Sequence, residues 1–209
     1  MEATPDALFQ LDWTPVAVPR PAEAAAWGVL GADVPGLFGA AERFADVPAV
    51  ARAVESGARL AAVVVPFADT DEVVDADVDD MAAAAHRTTR RALALVQAWL
   101  ADERLVDTPL IVLTQGAVST SDGAEDLAPA RAALWGLLRS AQSEHPGRLT
   151  LADLDSATPH PLEALQALLI CGEPQAAIRE GRLFLPRLQR VQTAWPPAVP
   201  LPGTRRGRL

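Results

Sequence analysis

The sequence predicts an α/β fold: a doubly wound, mainly parallel sheet with helices on both faces. Three observations predict it. LAAVVVPF (Leu60–Phe67) and TPLIVLT (Thr108–Thr114) are short, continuously apolar and rich in β-branched residues, the pattern of strands buried on both faces. Long segments with helical spacing follow each of them. The alternation of the two patterns along 209 residues implies parallel strands joined by crossover helices.

The elements follow in order. LFQLDW (Leu8–Trp13) reads as a first short strand, closed by Thr14-Pro15, and a Pro-rich turn runs through Pro19 and Pro21. Trp27–Leu30 is a second strand ending in Gly31, and Pro35–Ala41 a short helix. Pro48–Ser56 is helical, with Asp46 as its N-cap and Gly57 as its stop. After the Leu60–Phe67 strand a long helix is expected from Asp79 to Leu100, with Leu93, Val96 and Leu100 on one face and Trp99 beside them. After the Thr108–Thr114 strand, Leu127–Glu144 is the next helix, with Pro129 in its first turn. Arg148–Asp153 is a strand and Pro161–Ile170 a helix. Two last strands, Gln175–Arg179 and Leu183–Pro186, pair around a Glu180-Gly181 turn. The segment from Trp195 onward, WPPAVPLPGTRRGRL, is rich in Pro and Arg and reads as a linker or tail. The expected division is thus a domain over 1–194 and a tail over 195–209.

Composition removes several classes of function. The formal net charge of −9 argues against nucleic acid as a partner, because a phosphate backbone needs clustered cations. No apolar run approaches the ~20 residues that span a bilayer, and the N-terminus MEATPDALFQ lacks the basic and apolar regions of a secretory signal. The one cysteine, Cys171, leaves no intrachain disulfide, which fits a cytoplasmic protein. There is no Tyr, Lys or Asn, so all 18 cations are Arg. A Schiff base, a Walker lysine, a lysine base and a phenolic acid are therefore excluded.

The candidate sites each meet a plainer reading. Gly31, Gly36 and Gly39 follow the second strand, where a dinucleotide would bind, but without G-x-G-x-x-G spacing. DTDEVVDADVDD places Asp75, Asp77 and Asp79 on the first ligand positions of a calcium loop. It then puts Asp80 where the loop needs Gly and His86 where it needs Glu, so it reads as a solvated acidic loop. His86, His145 and His160 have no zinc-ligand spacing, and Cys171, at the end of an apolar run, reads as a buried inert thiol. In ALWGLLRSAQSEHPGRLTLADLD, Leu134, Leu137, Leu138 and Ala141 form a core face, and Arg139, Gln142 and Ser143 point elsewhere. Ser143, Glu144 and His145 are consecutive, which suits a helix end better than a triad, and His145-Pro146-Gly147 ends the helix. The expected catalytic, cofactor-binding and metal-binding sets are all empty.

LFQLDWTPV, TPLIVLTQGAV, ALWGLLRSAQSEHPGRLTLADLD and EPQAAIREGRLFLPRL, in that order from Leu8 to Val191, resemble the ketoreductase region of modular type I polyketide synthases. More narrowly, they resemble its N-terminal structural subdomain. The resemblance implies a truncated Rossmann-like fold without catalytic residues. It also implies a partner, the short-chain-dehydrogenase-type catalytic half, which binds NADPH and reduces a β-ketoacyl group on an acyl carrier protein. No cofactor is expected on this chain itself. The ending LPGTRRGRL fits either an inserted enoylreductase or the boundary of a segment. Beside a supporting role for the catalytic half stand two alternatives: a spacer or docking module between synthase domains, and a self-sufficient NADPH-dependent reductase.

Overall fold

The structure, a computed structural model, describes residues 9–17, 26–31, 38–39, 41–67, 78–120, 127–155 and 161–190. Its elements are β1 (Phe9–Val16), β2 (Trp27–Leu30), β3 (Glu42–Phe44), α1 (Val47–Glu55), β4 (Ala62–Pro66) and α2 (Val78–Ala101). A 3₁₀ turn (Glu103–Leu105) follows, then β5 (Leu110–Gln115), α3 (Pro129–Glu144), β6 (Leu149–Leu154), α4 (Leu162–Cys171), β7 (Gln175–Arg179) and β8 (Arg182–Arg190).

The eight strands form one sheet in the order β1-β8-β7-β6-β5-β4-β2-β3. Strands β2 to β7 are parallel; β8 runs antiparallel to β7, and β1 antiparallel to β8. The α/β, Rossmann-like expectation therefore holds. The order reverses between β2 and β4, since β3 lies on one side of β2 and every later strand on the other.

Alternation along the strands divides the core in two. Val63, Val65, Leu110, Val112, Leu149 and Leu151 face α1, α2 and α3, where Val50, Trp99, Leu134 and Leu138 meet them. Val64, Ile111, Leu113, Ala152, Ala176 and Ile178 face the other way, toward α4 through Leu165 and Leu168, and toward Phe38. The connections β3-α1-β4, β4-α2-β5, β5-α3-β6 and β6-α4-β7 all step in the same direction across the sheet. Only the last carries its helix on the second face, so it has the opposite hand to the other three. About 98% of such crossovers are right-handed, and the hand shared by α1, α2 and α3 marks α4 as the exception. The α3 side of β7, β8 and β1 consequently has no covering helix among the described residues.

Local chemistry explains most boundaries. Asp46 caps α1, its carboxylate accepting from the Ala49 N–H at 2.8 Å, and Gly57 follows the last turn. Gly147, at φ +77°, provides the left-handed step out of α3 that Pro146 forces. Glu180 and Gly181, both at positive φ, make the tight β7–β8 turn as expected.

The structure corrects the sequence reading at three elements. The inner face of α2 is Ala92, Val96 and Trp99, and Leu93 is exposed. One residue is 100° of helical turn, and the tryptophan, the largest apolar side chain, sets the phase. β3 was not expected, because ERF has no apolar run and pairs only as an edge. β1 and β8 run on to Val16 and Arg190, since each satisfies the other's backbone well beyond β7. The expected helix at 35–41 lies mostly outside the described residues. Within it, Phe38 is buried and its carbonyl accepts from the Ala41 N–H at 2.9 Å.

Candidate functional site

Doubly wound sheets bind ligands at the carboxyl ends of their strands. In this chain the ends of β5, β6 and β7 hold the chain's own polar side chains. β6 alternates so that Leu149, Leu151 and then Asp153 face α3. Asp153 is fully buried. Its carboxylate accepts from the Thr114 hydroxyl at 2.6 Å, from the Ala117 N–H at 2.8 Å and from the Val118 N–H at 3.4 Å. The Arg179 guanidinium, at the end of β7, completes the set with an ion pair at 2.9 Å. Arg179 also donates to the Val118 carbonyl at 2.6 Å and the Asp153 carbonyl at 3.0 Å. The indole N–H of Trp135, from α3, donates to the Thr114 oxygen at 2.8 Å. The Asp153 carboxylate thus has four donors around it, as a buried charge requires.

Asp155, two residues on, accepts from the Glu180 N–H at 2.7 Å and so ties the β7–β8 turn to β6. A second network sits near the other end of α3. Gln142 donates to the carbonyls of Leu149 at 3.1 Å and Pro174 at 2.6 Å. It accepts from Gln175 at 3.0 Å, which in turn accepts from Arg139 at 3.1 Å. Gln142 was expected to point away from the core and is buried. The 3.6-residue period puts 135, 138 and 142 on the inner face together with 134, and a buried amide is tolerated because two carbonyls await it.

The other candidates do not assemble. Ser143, Glu144 and His145 are all exposed at the end of α3. The Ser143 hydroxyl turns back to the Arg139 carbonyl at 3.0 Å, and the His145 backbone N–H closes the helix on Ala141. Cys171 is exposed, not buried as expected: the inner face of α4 is Ala164, Leu165, Ala167 and Leu168, and Ile170 and Cys171 turn away from it. His86 is exposed on α2. Gly36, Asp75, Asp77 and His160 lie outside the described residues, as does the tail 195–209; Asp79 and Asp80 fall in the first turn of α2. Among the described residues no three metal-ligating side chains are gathered, and no helix is long and apolar enough to cross a membrane.

Among the described residues, the end of β2 is engaged with the chain itself. The Gly31 N–H is bonded to the Phe44 carbonyl at 2.9 Å, and Phe38 is buried in the core behind β2. At the far ends of β5 to β7, Asp153 and Arg179 are already engaged with each other.

What the chain does offer is a surface. β1 and β8 form a two-stranded ribbon whose paired residues share a face: Phe9 with Arg190, Leu11 with Leu188, Trp13 with Pro186. On this face Phe9, Leu11 and Leu188 are 49%, 50% and 73% exposed. Trp13 anchors the ribbon, its ring edge-on to Trp135 at 6.3 Å. The opposite face of the same stretch is polar, with Gln189 donating to Asp12 at 2.7 Å. Three large apolar side chains in water on one face of a sheet edge are the most exposed apolar group of the ribbon.

Comparison with known proteins agrees with this architecture. A family model described as "Polyketide synthase extender module SpnB, Rossmann fold domain" matches residues 11–188. The spectinabilin polyketide synthase system protein NorB of Streptomyces orinoci is 46% identical over 192 residues, covering 90% of this chain and 8% of that protein. Polyketide synthase GfsE of Streptomyces halstedii is 42% identical over 187 residues, 90% of this chain and 5% of its own length. The chain thus spans less than a tenth of either relative. Among solved structures, a ketoreductase from the first module of phoslactomycin biosynthesis in Streptomyces sp. HK803 aligns over 86% of this chain and 37% of its own, with TM-score 0.54 and 21% identity, a likeness of fold.

Proposed function

We infer the role of this chain from its family: it belongs to the Rossmann-fold domains of polyketide synthase extender modules. On that premise it is the non-catalytic structural half of a ketoreductase, and its work is to bind and stabilise the catalytic half. That partner carries the NADPH and reduces a β-ketoacyl group held on an acyl carrier protein in the cytoplasm. The observation that carries this reading is the β1–β8 ribbon with its exposed Phe9, Leu11 and Leu188. A packed domain that keeps an apolar ribbon end in water is arranged to cover it with a partner. The inventory supports the same reading, because a chain without Tyr or Lys lacks the proton donor and the lysine of that reductase chemistry. A partner that binds only the folded catalytic half stabilises it by mass action.

The test is co-expression of this chain with the catalytic half of the same synthase. Soluble yield, copurification and reduction of a model β-ketoacyl thioester are all expected to rise together. Equal solubility and activity of the catalytic half alone would end the proposal. The rival reading, a self-sufficient reductase, makes an opposite prediction for calorimetric titration with NADPH. No saturable heat is expected from this chain, and a clear isotherm would revive the rival. A spacer that merely separates neighbours fits less well, because Phe9 and Arg190 are paired and both described ends of the domain leave from one corner.

A further inference from the structure

We propose that the ribbon face beside α3 is a groove for an amphipathic helix that carries carboxylates along the edges of its apolar face. The proposal rests on the partner-binding reading above and gives its surface a chemistry. The first argument is geometric. α4 crosses on the far face of the sheet, so among the described residues the layer made by α1, α2 and α3 stops at α3 while the sheet continues through β7, β8 and β1. An antiparallel edge can leave a polar face in water, but this one presents Phe9, Leu11 and Leu188, large apolar side chains that a covering element would bury. The floor from Pro186 to Arg190 and from Phe9 to Trp13 is about 15 Å long, which matches roughly ten helical residues.

The second argument is charge. The chain as a whole is acidic at −9, yet the side chains on this face are Phe9, Leu11, Trp13 and Pro15 from β1 and Arg182, Phe184, Pro186, Leu188 and Arg190 from β8. None is acidic. Arg190 lies 5.8 Å from the Phe9 ring, Arg182 5.9 Å from Phe184, and Arg139, on the α3 wall, 5.3 Å from Trp135. Guanidinium groups laid on aromatic rings frame an apolar floor with positive charge, and a helix with carboxylates beside its apolar stripe complements both features. The chain's own segment 195–209 is the wrong occupant, since it brings three arginines and no Asp or Glu.

The probe is a pair of stapled fourteen-residue helical peptides with one leucine face, flanked by Glu in one and by Lys in its twin. Fluorescence anisotropy with the full chain is expected to show the Glu peptide binding about tenfold or more tighter than the twin at low salt. Arg190→Glu should remove or reverse that preference, and Leu188→Ser should weaken both peptides. Both side chains are exposed, so circular dichroism and the melting temperature should stay at wild-type values. Equal binding of the twins, or wild-type binding by Leu188→Ser, overturns the groove. The co-expression test reads separately. If the catalytic half is stabilised while the peptides fail, the helix proposal falls and the supporting role stands; if the peptides behave as expected and the catalytic half is indifferent, the groove stands and that role falls.

Discussion

Asp153 is the residue on which the interior depends most. Its carboxylate joins β5, β6, β7 and the loop at 116–118 through one side chain. Asp153→Ala would leave the Arg179 cation and two backbone N–H groups without their acceptor in a dry site. The expected loss is about 3–5 kcal/mol in urea unfolding. Trp135→Phe keeps most of the ring packing but removes the donor to Thr114, and should cost about 1–3 kcal/mol by the same measurement. Cys171→Ser, at an exposed helix end, should stay within about 0.5 kcal/mol of wild type, and the native thiol should react with a disulfide reagent without denaturant. These residues also show why the interior was only partly legible. Thr114, Trp135, Asp153 and Arg179 all lie within the stretches that carry the family resemblance. The strings were readable, but the bonds join positions 21 to 39 apart in sequence, and no local period encodes such a pairing. Cys171 and Gln142 differ from their sequence expectation for a related reason. Hydrophobic rank alone predicts the reverse for both, whereas helical phase exposes the one and two waiting carbonyls bury the other.

The helices differ in how fully their sequences explain them. Asp46, Pro146 and Gly147 announce ends that the structure confirms. The phase of α2 is ambiguous in sequence because Leu93 and Trp99 lie about a third of a turn apart and both suit a core, and the packed structure buries Trp99 and exposes Leu93. Gly136, in the middle of α3, has nothing within 4 Å of where a Cβ would stand. Gly136→Ala should therefore stabilise the chain by about 0.5–1 kcal/mol, seen as a higher melting temperature. Where α1 and α2 end, Arg104 bridges Glu55 and Asp102 at 3.0 and 2.7 Å. The hydrogen bond from Arg104 holds the Asp102 carboxyl below the usual aspartate range. A carboxyl whose folded value is depressed contributes stability above its unfolded value, and loses it as pH falls through the lower folded one. These groups are exposed, so the effect is local. In Arg104→Ala the Asp102 carbon resonance should titrate at higher pH than in wild type, and unchanged titration would discount the bond.

At the scale of the whole molecule, the parallel sheet was legible because each central strand is buried on both faces and so declares itself as an apolar run. The edges were less so. β3 has three residues and one partner, and the full reach of β1 and β8 depends on a pairing between the two ends of the chain. That pairing also has a mechanical meaning. With Phe9 opposite Arg190, a force drawing the two ends apart acts across the ladder, not along it. The ribbon would open like a zipper, one pair of hydrogen bonds at a time from its tip toward Trp13. Under tension, the apolar tip would be the first part of the domain to yield and the buried ion pair at the carboxyl ends among the last. A single-molecule pulling experiment through the termini should record low opening forces, and a Cys pair locking residues 9 and 190 should raise them. The domain would then work as a side branch of the polypeptide, opening at its stem before its core feels the load.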